Sequence, residues 1–263
     1  MSQQPVVRVA RDGAVARVTL DRPEVRNAFN AVLISELTAT FHALAGEPPE
    51  ALRAVVLAGE GAAFCAGADI TWMRASLELS VAENEADASR MADMLDAIDA
   101  CPVPVIARVH GATLGGGMGL CAVADIVLAT ADAVFGFTET RLGILPAVIS
   151  PFVLRRIGEG QARALFPTGE RFDAARAQRI GLVHEVLAGD AALDARVAEV
   201  VASLLAAGPE AARAAKAIIR DQRDLDAAAA RQLTVEAIAR QRVSPEGQEG
   251  LAAFLEKRSP DWR

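Results

Sequence analysis

The run Val105-Ile106-Ala107-Arg108-Val109-His110-Gly111-Ala112-Thr113-Leu114-Gly115-Gly116-Gly117-Met118-Gly119-Leu120, followed by Ile126-Val127-Leu128-Ala129, decides the fold. It reads as a strand, a glycine-rich stretch, a helix through Leu120 to Ala124, and a second strand. Both flanking runs are apolar in every phase, the pattern of strands covered on two faces of a parallel sheet. Three consecutive glycines lose much backbone freedom on folding, so they mark a forced path of the chain. Two readings of that path stand side by side. The glycines allow tight packing or a turn, or they open a helix whose unspent N–H groups hold an anion.

Working outward, Val15-Ala16-Arg17-Val18-Thr19-Leu20 predicts a strand stopped by Asp21-Arg22-Pro23. Asn30 is placed to cap a helix whose apolar residues Leu33, Ile34, Leu37, Phe41 and Leu44 recur at helical spacing up to Gly46. Ala54-Val55-Val56-Leu57 predicts another buried strand. A helix follows from the Ser80 region to Asp99, with Met91, Met94, Leu95 and Ile98 on one face, ended by Pro102 and Pro104. Beyond residue 190 strand signals vanish. The segments 190–206, 209–221, 225–242 and 245–258 are rich in Ala, Leu, Glu and Arg, punctuated by Gly208-Pro209 and Ser244-Pro245. The plan is an α/β core over 1–190 and a helical region over 191–263.

Composition bounds the function. The chain has 263 residues, 27 Lys+Arg and 34 Asp+Glu, hence 27 − 34 = −7, and 52% hydrophobic residues exclude disorder. A pI near 5.1 weighs against binding nucleic acid through phosphates. Cys65, Cys101 and Cys121 are sparse and form no CxxC, so neither a disulfide scaffold nor a zinc ribbon is expected. The uncharged run between Arg108 and Asp125 is shorter than the roughly 18–20 residues of a membrane span and is broken by glycines. Arg8, Arg11, Asp12 and Arg17 interrupt any signal-peptide core. A soluble cytoplasmic protein is the expectation.

Three places can carry chemistry. Gly59-Glu60-Gly61-Ala62-Ala63-Phe64-Cys65-Ala66-Gly67-Ala68-Asp69-Ile70 nearly matches a dinucleotide fingerprint, but Phe64 stands where the third glycine belongs. Its small residues suit a turn, or they expose backbone donors to a ligand oxygen. The glycine triplet is the second place. The third is Glu139, set among Phe135, Phe137, Leu142 and Ile144. It is either a solvated partner for an arginine such as Arg141, or a desolvated carboxylate with a raised pKa suited to proton transfer. His42, His110 and His184 lack a partner at metal-ligand spacing, so no metal site is expected.

The ordered set Arg22-Pro23-Glu24-Val25-Arg26-Asn27-Ala28, Phe64 to Ile70, Gly115-Gly116-Gly117 and Phe137-Thr138-Glu139-Thr140-Arg141-Leu142-Gly143 resembles the enoyl-CoA hydratase/isomerase (crotonase) superfamily. The ending Glu246-Gly247-Gln248-Glu249-Gly250-Leu251-Ala252-Ala253-Phe254-Leu255-Glu256-Lys257-Arg258 is similar to that family's C-terminus. The resemblance runs from about residue 10 onward. It implies a crotonase-like spiral of ββα units with a C-terminal helical trimerisation region, assembled as a homotrimer or dimer of trimers. It implies an acyl-CoA substrate and no separate cofactor, since coenzyme A belongs to the substrate.

By position, the resemblance assigns the oxyanion donors to the N–H groups of Ala68 and Gly116, and the acid–base carboxylate to Glu139. Arg26 and Ala28 fall where the family lines its CoA channel, with Ala66, Gly67, Asp69, Ile70 and Gly115 as further substrate-binding positions. Phe254 and Lys257 fall where the family's tail reaches toward CoA, often from a neighbouring subunit. One departure matters: the second carboxylate of two-glutamate hydratases is replaced by Gly119. A single base suits an isomerase, and it also serves a hydratase if Glu139 both activates water and returns a proton.

Cys65 to Met73, Pro146 to Pro151 and Glu170 to Ala174 are similar to bacterial methylglutaconyl-CoA hydratases. That closer resemblance implies a glutaconyl-type substrate whose carboxylate Arg141 could grip if both side chains share one face. The alternative is that Arg141 pairs with Glu139 or an interface acid. A catalytically silent acyl-CoA or RNA-binding member is the reading of another class.

Overall fold

Strands that are apolar in both phases need cover on both faces, and the central strands of this chain are built that way. In a computed structural model, which describes residues 5–262, the chain runs β1 (Val7–Asp12), β2 (Val15–Leu20), α1 (Ala31–Ala45), β3 (Ala54–Gly59), α2 (Ile70–Ser76), α3 (Val81–Asp99) and β4 (Val105–Val109). It continues with β5 (Ala112–Leu114), α4 (Gly116–Val123), β6 (Ile126–Thr130), β7 (Val134–Gly136), α5 (Ser150–Leu165), β8 (Arg171–Asp173), α6 (Ala174–Arg179) and β9 (Glu185–Leu187). Four helices follow: α7 (Asp190–Ala206), α8 (Pro209–Asp221), α9 (Ala227–Val243) and α10 (Pro245–Glu256).

The larger sheet has the order β1-β2-β3-β4-β6-β9, antiparallel only at β1–β2 and parallel elsewhere. The smaller sheet, β5-β7-β8, takes one short strand from each later turn of the chain. Each turn thus lays a strand in the first sheet, a shorter one in or toward the second, and then a helix. That is the spiral of ββα units the sequence implied.

Side chains alternate across the main sheet with the period of two that strands impose. Val55, Leu57, Val105, Ala107, Val127 and Ala129 face the principal core with α1, α3, α4 and α5. Val56, Ile106 and Leu128 face the other way, onto Leu193 and Val197 of α7. The change of composition near residue 190 therefore marks the end of strands, while α7 still packs on the sheet.

Caps follow the sequence. Asn30 accepts the Leu33 N–H at 2.9 Å, and Ser80 forms a capping box with Glu83. The three-residue strands β5, β7, β8 and β9 are too short to show any periodicity, and β1, α2, α5 and α6 also went unread in the sequence. Their pairing is a tertiary outcome.

Three arginines tie carbonyl-rich ends of the fold together. Arg53 reaches the carbonyls of Leu204, Leu205 and Ala207 at the end of α7. Arg156 reaches those of Cys121 and Ala124 at the end of α4, and Arg213 those of Glu47, Pro48 and Leu52 beyond α1. Positive charge at a helix C-terminus satisfies orphan carbonyls and complements the helix dipole. With Lys216, which bonds Asp125 at 2.6 Å and the Val103 carbonyl at 3.1 Å, Arg213 also fastens α8 to the core.

His184 is a titratable member of the sheet. Its Nδ1 accepts the Val127 N–H at 2.9 Å, a bond that exists only for the neutral ring. Burial, helped by the Arg156 charge and opposed by Asp125, holds its pKa below the ordinary histidine value. Folding therefore favours the neutral ring. That contribution is complete above about pH 6.5, the unfolded value, and is lost as pH falls through the lower folded value. Thermal melts between pH 7.5 and 5 should show a steeper loss for the wild type than for His184→Asn, whose amide oxygen can accept the same bond without titrating. Parallel curves would remove His184 from the acid response.

Candidate active site

The site begins where two backbone segments run side by side. Cys65 pairs with Thr113 in parallel, with the Cys65 N–H on the Ala112 carbonyl and the Leu114 N–H on the Cys65 carbonyl. Continuing that register sets Gly67 beside Gly115 and Ala68 beside Gly116. Gly67 has φ +101° and Gly115 φ +50°, both in the left-handed half of the map, and a Cβ on Gly115 would lie 3.6 Å from the Gly67 Cα. The positive φ at both positions favours glycine, and at Gly67 a Cβ would also press the Leu114 carbonyl oxygen at 3.2 Å. The loop is not a dinucleotide turn: Phe64 is fully buried, and no helix opens until Ile70.

On the other side, Ala68 pairs with Phe29. The Phe29 N–H goes to the Gly67 carbonyl at 2.7 Å and the Asp69 N–H to the Phe29 carbonyl at 2.9 Å. This arrangement uses the donors flanking Ala68 but leaves the Ala68 N–H without an acceptor among the described residues. Gly115 caps α4, and the N–H groups of Gly116 and Gly117, in its first turn, are likewise unspent. Three backbone donors thus stand free on neighbouring segments, two of them at a helix start where the dipole favours negative charge.

Glu139 sits in a 3₁₀ turn, Thr138–Leu142, entered from the fully buried Phe137 and closed by Gly143 at φ +77°. Its carboxylate lies over Gly115: a Cβ built there would be 3.5 Å from Oε1 and 3.7 Å from Cδ. Its Oε2 is shielded from solvent and meets no donor among the described residues. Burial pushes its pKa above the usual carboxylate value, against a weaker opposing bond to its own backbone. Of the two readings of Glu139, the desolvated carboxylate is the one present. A carboxylate raised in this way is suited to taking up and returning a proton.

Arg141 does not pair with it. In a 3₁₀ turn successive side chains step by roughly 120°, so residues two apart do not share a face as they do in a strand. Arg141 is exposed, forms no ion pair among the described residues, and runs beside Gly169.

Asp69, which the resemblance places among the substrate-binding positions, spends its carboxylate on the protein itself. Its Oδ1 caps α2 through the Thr71 N–H at 2.7 Å and the Trp72 N–H at 3.4 Å, and its Oδ2 takes Arg22 at 2.8 Å. Burial pushes its pKa up, but the Arg22 bond and the two N–H donors outweigh it and leave the carboxyl below its ordinary value. The carboxylate is spent on scaffolding.

So is much of the 22–28 segment. Arg22 also holds the Ala28 carbonyl, and buried Asn27 bonds the carbonyls of Glu60 and Ala63 at 2.9 and 2.8 Å. Sequence reasoning passed over this clamp. Its one visible signal was that an arginine and an asparagine bracket a proline turn. Arg26 is exposed at φ 54°, its carbonyl taking the Ala66 N–H, while Ala28 is buried.

Ile70 projects outward at the start of α2. Phe254 and Lys257 lie on the exposed face of α10, which packs against α8 and α9, so the single chain does not bring them to Glu139. Lys257 is a left-handed C-cap at φ 56°. Burial raises the Cys65 thiol to about 12, so it is no nucleophile at neutral pH. Among the described residues no cluster of His, Cys, Asp or Glu is placed to hold a metal ion, and no helix is long and apolar enough to cross a membrane.

The position of the second carboxylate of two-glutamate hydratases is closed. Gly119 is buried in α4, and a Cβ there would stand 2.5 Å from Ile149 Cγ2 and 3.4 Å from Leu95 Cδ2.

Comparison with known proteins identifies the family. The family described as enoyl-CoA hydratase/isomerase matches residues 10–263. An enoyl-CoA hydratase from Shewanella pealeana has 38% identity and a TM-score of 0.92, covering 98% of this chain and 96% of that one. The enoyl-CoA hydratase structure from Mycobacterium smegmatis has 36% identity and a TM-score of 0.93, with 98% and 99% covered. A Rhodobacter capsulatus protein named "Probable enoyl-CoA hydratase" is 38% identical over 256 residues, 94% of this chain and 93% of that protein. With a family model matched over nearly its whole length and solved relatives superposing end to end, the chain belongs to the enoyl-CoA hydratase/isomerase family.

Proposed function

We propose that this protein is an enoyl-CoA hydratase that adds water across the 2,3 double bond of an acyl-CoA thioester. The observation that carries the reading is a desolvated carboxylate, Glu139, over Gly115 and beside the unspent N–H groups of Ala68 and Gly116. Those two donors receive the thioester oxygen and stabilise it as it gains charge. Glu139 takes a proton from water, whose oxygen bonds to Cβ while the π electrons move to the thioester oxygen. The same carboxyl then returns the proton to Cα, and the enolate collapses, so one water is added in all. Arg26, Ala28 and Ala66 line the path of CoA in this reading. Phe254 and Lys257 reach it from a neighbouring subunit of a homotrimer or dimer of trimers.

A second reading is favoured by one observation. Ile149 fills the space beside Gly119, so Glu139 is the one carboxylate the site offers, as a proton shuttle between Cα and Cγ requires. That reaction is isomerisation of a 3-enoyl to a 2-enoyl-CoA. Mass spectrometry of a panel of 2-enoyl- and 3-enoyl-CoA esters separates the two. Gain of one water supports hydration; unchanged mass with a moved double bond assigns the isomerase.

Glu139→Gln keeps shape and removes the proton acceptor, so kcat should fall on the order of 10²–10⁴-fold while acyl-CoA binding is retained. A base acts only when deprotonated, and burial raises this one's pKa. Activity should therefore rise with pH along an acid limb lying above the usual glutamate value. Residual activity in the glutamine variant with the same limb would take Glu139 out of the role.

The finer substrate proposal is a branched glutaconyl-type CoA. Arg141, exposed and free of any ion pair among the described residues, is available to a carboxylate on the acyl group. Arg141→Met should lower turnover of 3-methylglutaconyl-CoA selectively over crotonyl-CoA. Equal loss of both, or no wild-type preference, leaves a general enoyl-CoA enzyme.

A further inference from the structure

The two ends of the Ala68 loop are held unequally. Upstream, the chain enters it from Phe64 and Cys65, both fully buried. Downstream it runs into α2, none of whose residues is fully buried. Core packing therefore fixes one end of the loop and does little for the other. Pairing with Phe29 supplies part of what is missing. The Phe29 N–H on the Gly67 carbonyl and the Asp69 N–H on the Phe29 carbonyl turn the Ala68 N–H away from residue 29. The spacing of these two segments thus sets where the Ala68 donor points.

One side chain spans both segments. Arg22 donates through one terminal nitrogen to the Ala28 carbonyl and through the other to Asp69 Oδ2 at 2.8 Å. Ala28 and Asp69 flank the Phe29–Ala68 pair on its two strands. The side chains of Arg22 and Asp69 are only 12 and 9% exposed, so water competes little for the pair. Asp69 uses its other oxygen, Oδ1, for the Thr71 N–H, so the helix cap and the tie to Arg22 are separable. Asn27 does not share the task, because its amide bonds the carbonyls of Glu60 and Ala63, upstream of the loop.

We infer that Arg22 is a positioning residue: gripping Ala28 and Asp69 together, it aims the Ala68 N–H at the substrate's thioester oxygen. This rests on the proposed role of that N–H as an oxyanion donor. A planar guanidinium holds two acceptors at fixed spacing, which a lysine ammonium does not. A donor displaced by about an ångström costs on the order of 10²-fold in rate.

The test compares the wild type, Asp69→Asn and Arg22→Lys. Asp69→Asn keeps an oxygen for the Thr71 N–H and replaces the acceptor of Arg22 with an amide donor. Arg22→Lys keeps the charge and loses the fork. Each protein is loaded with butyryl-CoA carrying ¹³C at the thioester carbonyl, and the infrared band of that carbonyl is recorded. Turnover of crotonyl-CoA is measured in parallel. Donors that polarise the carbonyl lower its band in the wild type relative to free ester. Both variants should move the band back toward free ester and lose kcat on the order of 10²-fold, with little change in butyryl-CoA affinity. A wild-type band position in the variants overturns the inference, even where melting temperature falls, because the pair then only stabilises the fold. So does a wild-type band at the free-ester position. If Asp69→Asn does not fold, Arg22→Lys decides by the same band. If the wild type hydrates no enoyl-CoA, the hydratase reading fails, and the band of the bound ester still decides the role of Arg22.

Discussion

Residues 65–68 and 113–116 run side by side with Gly67 and Gly115 both at positive φ, and the geometry of the site follows from that pass. It uses the donors of Phe29, Asp69, Cys65 and Leu114 in holding the segments together, and by the parity of strand pairing it leaves those of Ala68 and Gly116 over. It also sets Gly115 beneath the Glu139 carboxylate, whose Oε1 lies 3.5 Å from where a Cβ would stand. The unspent donors and the carboxylate proposed to work with them are therefore positioned by one backbone arrangement. Binding energy need not be used to assemble them.

The surrounding scaffold is held by polar side chains aimed at backbone. Asn27 and Arg22 tie the 22–28 turn to the 60–69 loop, and Asp69 holds the start of α2. Farther out, Arg53, Arg156 and Arg213 close carbonyl ends of α7, α4 and the turn after α1. Arginine suits these places because its charge persists when burial lowers its pKa, as it does for Arg53 and Arg156. His184 is different, since its bond to the sheet depends on its protonation state.

Much of this architecture is legible in the chain itself. The strands at 54–57 and 126–129 announce themselves as apolar runs because burial on both faces leaves no polar phase, and those at 15–20 and 105–109 as apolar runs interrupted by Arg17, Thr19 and Arg108. Asn30 and Ser80 mark helix starts because their side chains serve local N–H groups. The β5, β7, β8 and β9 segments are invisible for the opposite reason: three residues carry no period, and only the surrounding sheet makes them strands. At the site, the glycines and Glu139 stand out as residue types. Which N–H groups remain unspent depends on register, and the second oxygen of Asp69 is taken by Arg22, 47 positions away. Neither is written in spacing.

The interlock of Gly119 with Ile149 constrains how this sequence can drift. A side chain arriving at 119 meets a γ-methyl at 2.5 Å, so the change is tolerated only if position 149 has shrunk beforehand. Shrinking Ile149 first opens a hole in a packed interior, a loss of about 2–5 kcal/mol for an isoleucine cut back to alanine. That is a large fraction of the roughly 5–15 kcal/mol that holds a domain folded. The two positions must therefore change as a pair, and each one-step route between the paired states crosses a less stable protein. Position 119 is held as glycine by this mutational barrier.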